Sequence, residues 1–130
     1  MNDFNGAGRH LLIIEDDESI LDACQMLFES RGFAVTAKRS PATIEHDIND
    51  LHPDCLLMDV SLPPYDGCEI CARVKRKCLL LPVILFSASD VSDQVLISCG
   101  ADAFVPKPFS IKKILSTVER TLTQRTVDAG

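Results

Sequence analysis

The sequence predicts a doubly wound α/β sandwich: a five-stranded parallel sheet of strand order 2-1-3-4-5 with five helices on its two faces. Three observations lead there. Short apolar runs alternate with amphipathic stretches of helical period along the 130 residues. The alternation makes five strand–helix units. The runs are apolar throughout rather than at every second position, as strands in a parallel sheet covered on both faces must be. Right-handed crossovers then favour the doubly wound form, whose familiar five-strand version has that order.

The elements follow in order. Leu11-Leu12-Ile13-Ile14 reads as a first buried strand. Ile20, Leu21, Cys24, Leu27 and Phe28 recur at helical spacing, and Gly32 offers a C-terminal cap. Phe33 to Ala37 is a second, weaker strand. Ser40-Pro41 starts a second helix, since proline is tolerated in a first turn. Its stripe is Ile44, Ile48 and Leu51, and His52-Pro53-Asp54 ends it. Cys55-Leu56-Leu57-Met58 is the third strand, followed by a turn-rich loop, Leu62-Pro63-Pro64-Tyr65-Asp66-Gly67. Ile70, Cys71, Val74 and Cys78 mark a third helix. Val83-Ile84-Leu85-Phe86 is the fourth strand, and Val91 to Cys99 a short helix that stops at Gly100. Ala103-Phe104-Val105 is the fifth strand, cut off by Pro106-Lys107-Pro108. Ser110 can cap a last helix with Ile111, Ile114, Leu115, Val118 and Leu122 inward. One domain over 10–123 is expected, with loose tails at 1–9 and 124–130.

Composition narrows the function. Hydrophobic residues make up 46%, enough for a packed core. Thirteen basic against nineteen acidic side chains give a net charge of −6, which argues against direct nucleic-acid binding or an anionic membrane surface. The longest apolar run, Cys78 to Phe86, is far short of the roughly 20 residues a membrane helix needs. Residues 1–10 carry no basic stretch followed by an apolar one, so no secretory signal is read there and a cytoplasmic setting is expected. The six cysteines fit that setting as reduced thiols, most of them within apolar periodic segments. Cys68 and Cys71 have the spacing of a redox or half-zinc motif, but no second cysteine pair or spaced histidine pair accompanies them. They read as helix packing.

In doubly wound folds the site lies at the carboxyl ends of the strands. Glu15, Asp16 and Asp17 follow the first strand, Asp59 the third, Ser87 the fourth and Lys107 the fifth. Strands one and three are expected neighbours, so carboxylates converge on one small area. Clustered carboxylates repel and lose hydration on burial. A hard divalent cation such as Mg2+ relieves both effects, because it takes oxygen ligands. Asp59 stands single, with a hydroxyl and an ammonium arriving from neighbouring strands. A carboxylate so placed can attack phosphorus and form an acyl phosphate, with Lys107 and Ser87 contacting the phosphoryl oxygens. The spacing alone does not separate Ser87 from Ser89, whereas Ser92 reads as a helix cap. Asp17 and Glu18 read as first-turn helix charges.

With these residues in place, the chain resembles a response-regulator receiver domain of two-component signalling, chemotaxis-regulator-like, from about Leu11 to Leu122. The motifs are Leu-Ile-Ile-Glu-Asp-Asp at 12–17, Leu-Leu-Met-Asp-Val at 56–60 and Leu-Pro-Pro-Tyr-Asp-Gly at 62–67. Phe-Ser-Ala at 86–88 and Gly-Ala-Asp-Ala-Phe-Val-Pro-Lys-Pro-Phe at 100–109 complete the set. Each alone is weak; all five in order are specific. The resemblance implies a flavodoxin-like three-layer sandwich with Asp59 as phosphoacceptor. It implies Mg2+ held by Asp16 directly, Glu15 through water, Asp59 and the backbone carbonyl of Ser61. It makes Ser87 the switch hydroxyl, Lys107 a phosphoryl ligand, Phe104 the switch aromatic and Lys107–Pro108 a candidate cis bond. The implied partners are a sensor histidine kinase or histidine phosphotransfer protein and a downstream protein or output domain. The surface that changes would be helix four, strand five and helix five, with a phosphorylation-dependent homodimer through helices four and five as one outcome. Such a domain catalyses only its own phosphorylation and dephosphorylation and is not otherwise an enzyme.

Three positions depart from the family's commonest pattern: Ser87 stands for threonine, Phe104 for tyrosine and Pro64 for glycine. None removes a group that phosphoryl transfer requires, but the last two leave the output mechanism open. Rival readings fare worse. A haloacid-dehalogenase-like phosphatase needs a second aspartate two residues after the first, and Ser61 is there. A flavodoxin-like electron carrier needs a phosphate-binding loop where Glu15-Asp16-Asp17 would repel phosphate. A pure interaction module on this fold is expected to lack Asp59, the acidic pair or the lysine, and all are present. Eight residues follow Leu122, too few for an output domain. A stand-alone receiver and a fragment of a larger regulator or hybrid kinase both stay open.

Overall fold

The computed structural model describes residues 6–87, 93–107 and 110–129. β1 (His10–Ile14) leads into α1 (Glu18–Ser30), β2 (Ala34–Lys38) into α2 (Ile44–Leu51), and β3 (Cys55–Asp59) into a tight hairpin of β4 (Ser61–Leu62) and β5 (Tyr65–Asp66). Then come α3 (Gly67–Lys77), β6 (Val83–Ser87), α4 (Asp93–Ser98), β7 (Ala103–Pro106) and α5 (Ile111–Ala129). The main sheet has the order β2-β1-β3-β6-β7, every neighbouring pair parallel. With the β4–β5 hairpin set aside, this is the predicted 2-1-3-4-5.

The sheet explains why its strands are apolar at every position. Leu12, Ile14, Leu56, Met58, Val83 and Leu85 face Ile44 and Ile48 of α2 and Ile70, Cys71 and Val74 of α3. Their sequence neighbours Leu11, Ile13, Cys55, Leu57, Ile84 and Phe86 face Leu21, Cys24 and Phe28 of α1 and Ile114, Val118 and Leu122 of α5. Alternate side chains thus enter two separate cores, one on each side of the sheet. Each fully buried Leu or Ile contributes about 1.5–3 kcal/mol. The edge strand β2 is only partly covered, as its weaker pattern indicates. No helix of the described residues is long and apolar enough to cross a membrane.

Four boundaries differ from the sequence reading. Ser40-Pro41 does not open α2: the Ser40 hydroxyl accepts from Ala42 N–H at 3.2 Å, closing a turn, and the helix begins at Ile44. His52, in the left-handed region at φ 48°, ends it. The fourth helix, expected over Val91 to Cys99, is observed over Asp93–Ser98; residues 91 and 92 lie outside the described set. The last helix continues beyond Leu122 to Ala129. Residues 6–9, expected in a loose tail, form a turn in which Gly6 N–H donates to Arg31 O at 2.7 Å and Arg9 N–H to Gly6 O at 2.8 Å. Gly6 is buried there against the Phe33 ring.

Candidate functional site: a carboxylate cluster at the strand ends

Strand adjacency builds the site. Ile14 pairs with Met58, so the residues that follow them, Glu15 and Asp59, meet at the carboxyl edge of β1 and β3. Glu15 N–H donates to Lys38 O at 3.1 Å, carrying the β1–β2 ladder one residue further. Asp17 then caps α1, its carboxylate accepting from Ile20 N–H at 3.1 Å. This turn leaves Asp16 exposed, whereas Glu15 is fully buried and Asp59 is 5% exposed. One carboxylate oxygen from each of Glu15, Asp16 and Asp59 lies within 4.8 Å of the other two. Mutual repulsion would scatter such a group unless something positive held it together.

The positive group is Lys107, delivered by the end of β7. Its ammonium donates to Glu15 Oε1 at 2.5 Å and to Asp59 Oδ2 at 2.8 Å. The other Asp59 oxygen, Oδ1, accepts from Ser61 N–H at 3.0 Å, and Glu15 Oε2 accepts from Asp17 N–H at 3.1 Å. Burial pushes the Glu15 carboxyl up to about 7, although the Lys107 hydrogen bond and the Asp17 amide pull it down. Burial works against the charge on Lys107 too, but its bonds to Asp59 and Glu15 outweigh that and raise its pKa. The cluster is thus poised between one cation and two carboxylates.

The remaining expected residues lie around this centre. Ser61 begins β4, opposite Asp66 in the hairpin. Ser87 ends β6, in register with Pro106 next to Lys107; its side chain lies outside the described residues, as does Pro108 of the candidate Lys107–Pro108 cis bond. The Pro63–Pro64 bond between β4 and β5 is cis. Phe104 sits in β7 opposite Leu85 and is half-buried against the α2–α3 side of the core. Cys68 and Cys71 are free thiols packed in that same core. Burial and contact with Cys99 push both to about 12, so neither ionises at neutral pH.

The donor set suits a hard cation. The three side chains offer only carboxylate oxygen, two are already aligned by hydrogen bonds and one is open to solvent, which is how magnesium prefers its protein ligands. A residue that the sequence does not advertise is Arg39, just past β2. Its Nε and Nη2 donate to the backbone oxygen of Asp16 at 3.3 and 3.2 Å. The contact joins two loops 23 residues apart, and no motif carries it.

A sequence profile described as the response regulator receiver domain matches residues 11–119. The response regulator SaeR of Staphylococcus aureus is 31% identical over 121 residues, which are 88% of this chain and 51% of that protein. The chain spans about half the length of the curated relatives it matches. A CheY-like receiver domain protein from Methanospirillum hungatei aligns with a TM-score of 0.85 at 22% identity, over 92% of this chain and 98% of that one. The receiver domain of Francisella response regulator 1452 aligns at 0.81 and 24% identity, over 90% and 98%. At those identities the two structures speak for the fold.

Proposed function

Because the chain belongs to the response regulator receiver domain family of two-component signalling, we propose that it is a phosphorylation switch with Asp59 as its phosphoacceptor. The carrying observation is the Lys107 ammonium held between Glu15 and Asp59 at 2.5 and 2.8 Å. A phosphoryl group arriving on Asp59 finds a cation already at bonding distance.

The donor is phosphohistidine on a sensor kinase or phosphotransfer protein. The phosphorus–nitrogen bond breaks as a phosphorus–oxygen bond to the Asp59 carboxylate forms. The Ser61 amide holds the carboxylate by Oδ1, and the Lys107 ammonium neutralises charge building on the phosphoryl oxygens. Glu15, Asp16 and Asp59, with the Ser61 carbonyl, would hold Mg2+. When bound, the ion supplies further charge neutralisation at the phosphoryl group. Ser87 then turns its hydroxyl to the phosphoryl group and Phe104 repacks. The α4–β7–α5 face changes its preference for a downstream protein or output domain. Beyond its own phosphorylation and dephosphorylation the domain performs no turnover chemistry.

Incubation with acetyl phosphate, followed on a phosphate-affinity gel, tests the proposal. A single retarded band that needs Mg2+ and is lost in Asp59→Asn is expected. A band that persists in Asp59→Asn would contradict the assignment.

A further inference from the structure

We propose that Arg39 is a positioning residue for the metal-binding loop, acting through the backbone of Asp16. The inference rests on the Mg2+ reading of Glu15, Asp16 and Asp59. The loop after β1 is short, and Asp16 is its exposed member. Its neighbours on both sides are tied down: Glu15 by its amide to Lys38 O and its carboxylate to Lys107, Asp17 by its amide to Glu15 Oε2 and its carboxylate to Ile20 N–H. Asp16 has an exposed carboxylate, and its backbone oxygen is held by the Arg39 guanidinium through two N–H groups. A planar fork on one carbonyl sets the tilt of that peptide plane, and the tilt sets where the Asp16 Cα–Cβ bond points. The second loop that supplies Arg39 thereby aims the carboxylate at its two partners.

Arg39 could act in the opposite sense. It brings a positive charge to the rim of a cation site and lies 3.9 Å from Glu18. Its side chain is 63% exposed, however, so solvent screens that charge toward the carboxylates, whereas its Nε and Nη2 groups meet the Asp16 oxygen directly. Positioning should therefore outweigh repulsion. The two effects have opposite signs in an affinity measurement, which makes them separable.

The test is calorimetric titration of the full chain with MgCl2 at constant ionic strength, for the wild type, Arg39→Ala and Arg39→Lys. Thermal unfolding in chelator checks that each variant is folded, and Arg39→Gln replaces Arg39→Ala should the latter not fold. Arg39→Ala should bind Mg2+ about tenfold more weakly, the lower end of what outer partners of metal ligands cost. Phosphorylation from acetyl phosphate should return to the wild-type rate at saturating Mg2+, because no group that touches phosphorus has changed. Arg39→Lys, a point charge without the fork, should lie between the two. Unchanged or tighter Mg2+ binding in folded Arg39→Ala would overturn the proposal, as would full recovery in Arg39→Lys, which would assign the effect to charge. A wild type that binds no Mg2+ would remove both this inference and the reading beneath it.

Discussion

Lys107 holds two carboxylates with one ammonium, and the metal-free protein should show what that arrangement contributes. Replacing it by alanine leaves Glu15 and Asp59 facing each other under burial. Lys107→Ala should lose about 1.5–3 kcal/mol in urea unfolding at pH about 8 in chelator, the range for hydrogen bonds to charged groups. The loss should shrink at pH about 5, where Glu15 is neutral. Glu15 gives the wild type a pH dependence of definite sign. Its folded pKa, about 7, lies above the ordinary 4.5. Between those values the folded state keeps a proton that the unfolded chain has released. The contribution of this group is therefore present below about 4.5 and lost as pH rises through about 7. Glu15→Gln should remove that slope, seen as urea midpoints that diverge upward from the wild type across the window. A parallel pair of curves would contradict it. At this scale Glu15, Asp16, Asp59 and Lys107 were legible because each directly follows an apolar run, and strand ends converge in this fold. Arg39 was not, because its partner is a backbone oxygen, which no side-chain pattern marks.

Among the elements, α3 shows how closely the site and its scaffold are packed. Gly67, its first residue, lies where a Cβ would collide with Asp59 O and with the Val60 Cα, both backbone atoms that cannot swing aside. Gly67 N–H also donates to Val60 O at 2.7 Å. Gly67→Ala should therefore cost about 1–3 kcal/mol by overpacking and slow phosphorylation of Asp59 as well, measured by urea unfolding and by acetyl phosphate kinetics. Loss of stability with an unchanged rate would show that the clash is absorbed away from Asp59. The turn signal around Pro63, Pro64, Asp66 and Gly67 was readable, but the β4–β5 hairpin within it was not. Two-residue strands carry no period. Similarly, Ser40-Pro41 has the composition of a helix start, yet the local Ser40 hydroxyl bond competes with the first helical turn and wins. The central strands β1, β3 and β6 were plain because both of their faces are buried.

For the molecule as a whole, two cores flank one sheet, and the thiols belong to them. Cys24, Cys55, Cys68, Cys71 and Cys99 are buried thiols that form no disulfide, and only Cys78 is partly exposed. Burial pushes Cys24 to about 11 and Cys68 and Cys71 to about 12. Iodoacetamide at neutral pH should thus modify the folded protein slowly, Cys78 first, and all six cysteines once urea unfolds it. Rapid labelling of Cys68 or Cys71 in the folded state would reopen the redox reading of that pair. Two packed cores with buried thiols suit the proposed switch, whose two states should differ by only a few kcal/mol for one phosphoryl group to be enough to move it. In the proposed switch this group resides on Asp59. Borohydride reduces an acyl phosphate to the alcohol and would turn phosphorylated Asp59 into homoserine. Peptide mass mapping after acetyl phosphate, Mg2+ and borohydride should find homoserine at position 59 and nowhere else, and none without Mg2+. Homoserine in place of Asp16, or phosphate surviving borohydride on a hydroxyl such as that of Ser87, would contradict the account.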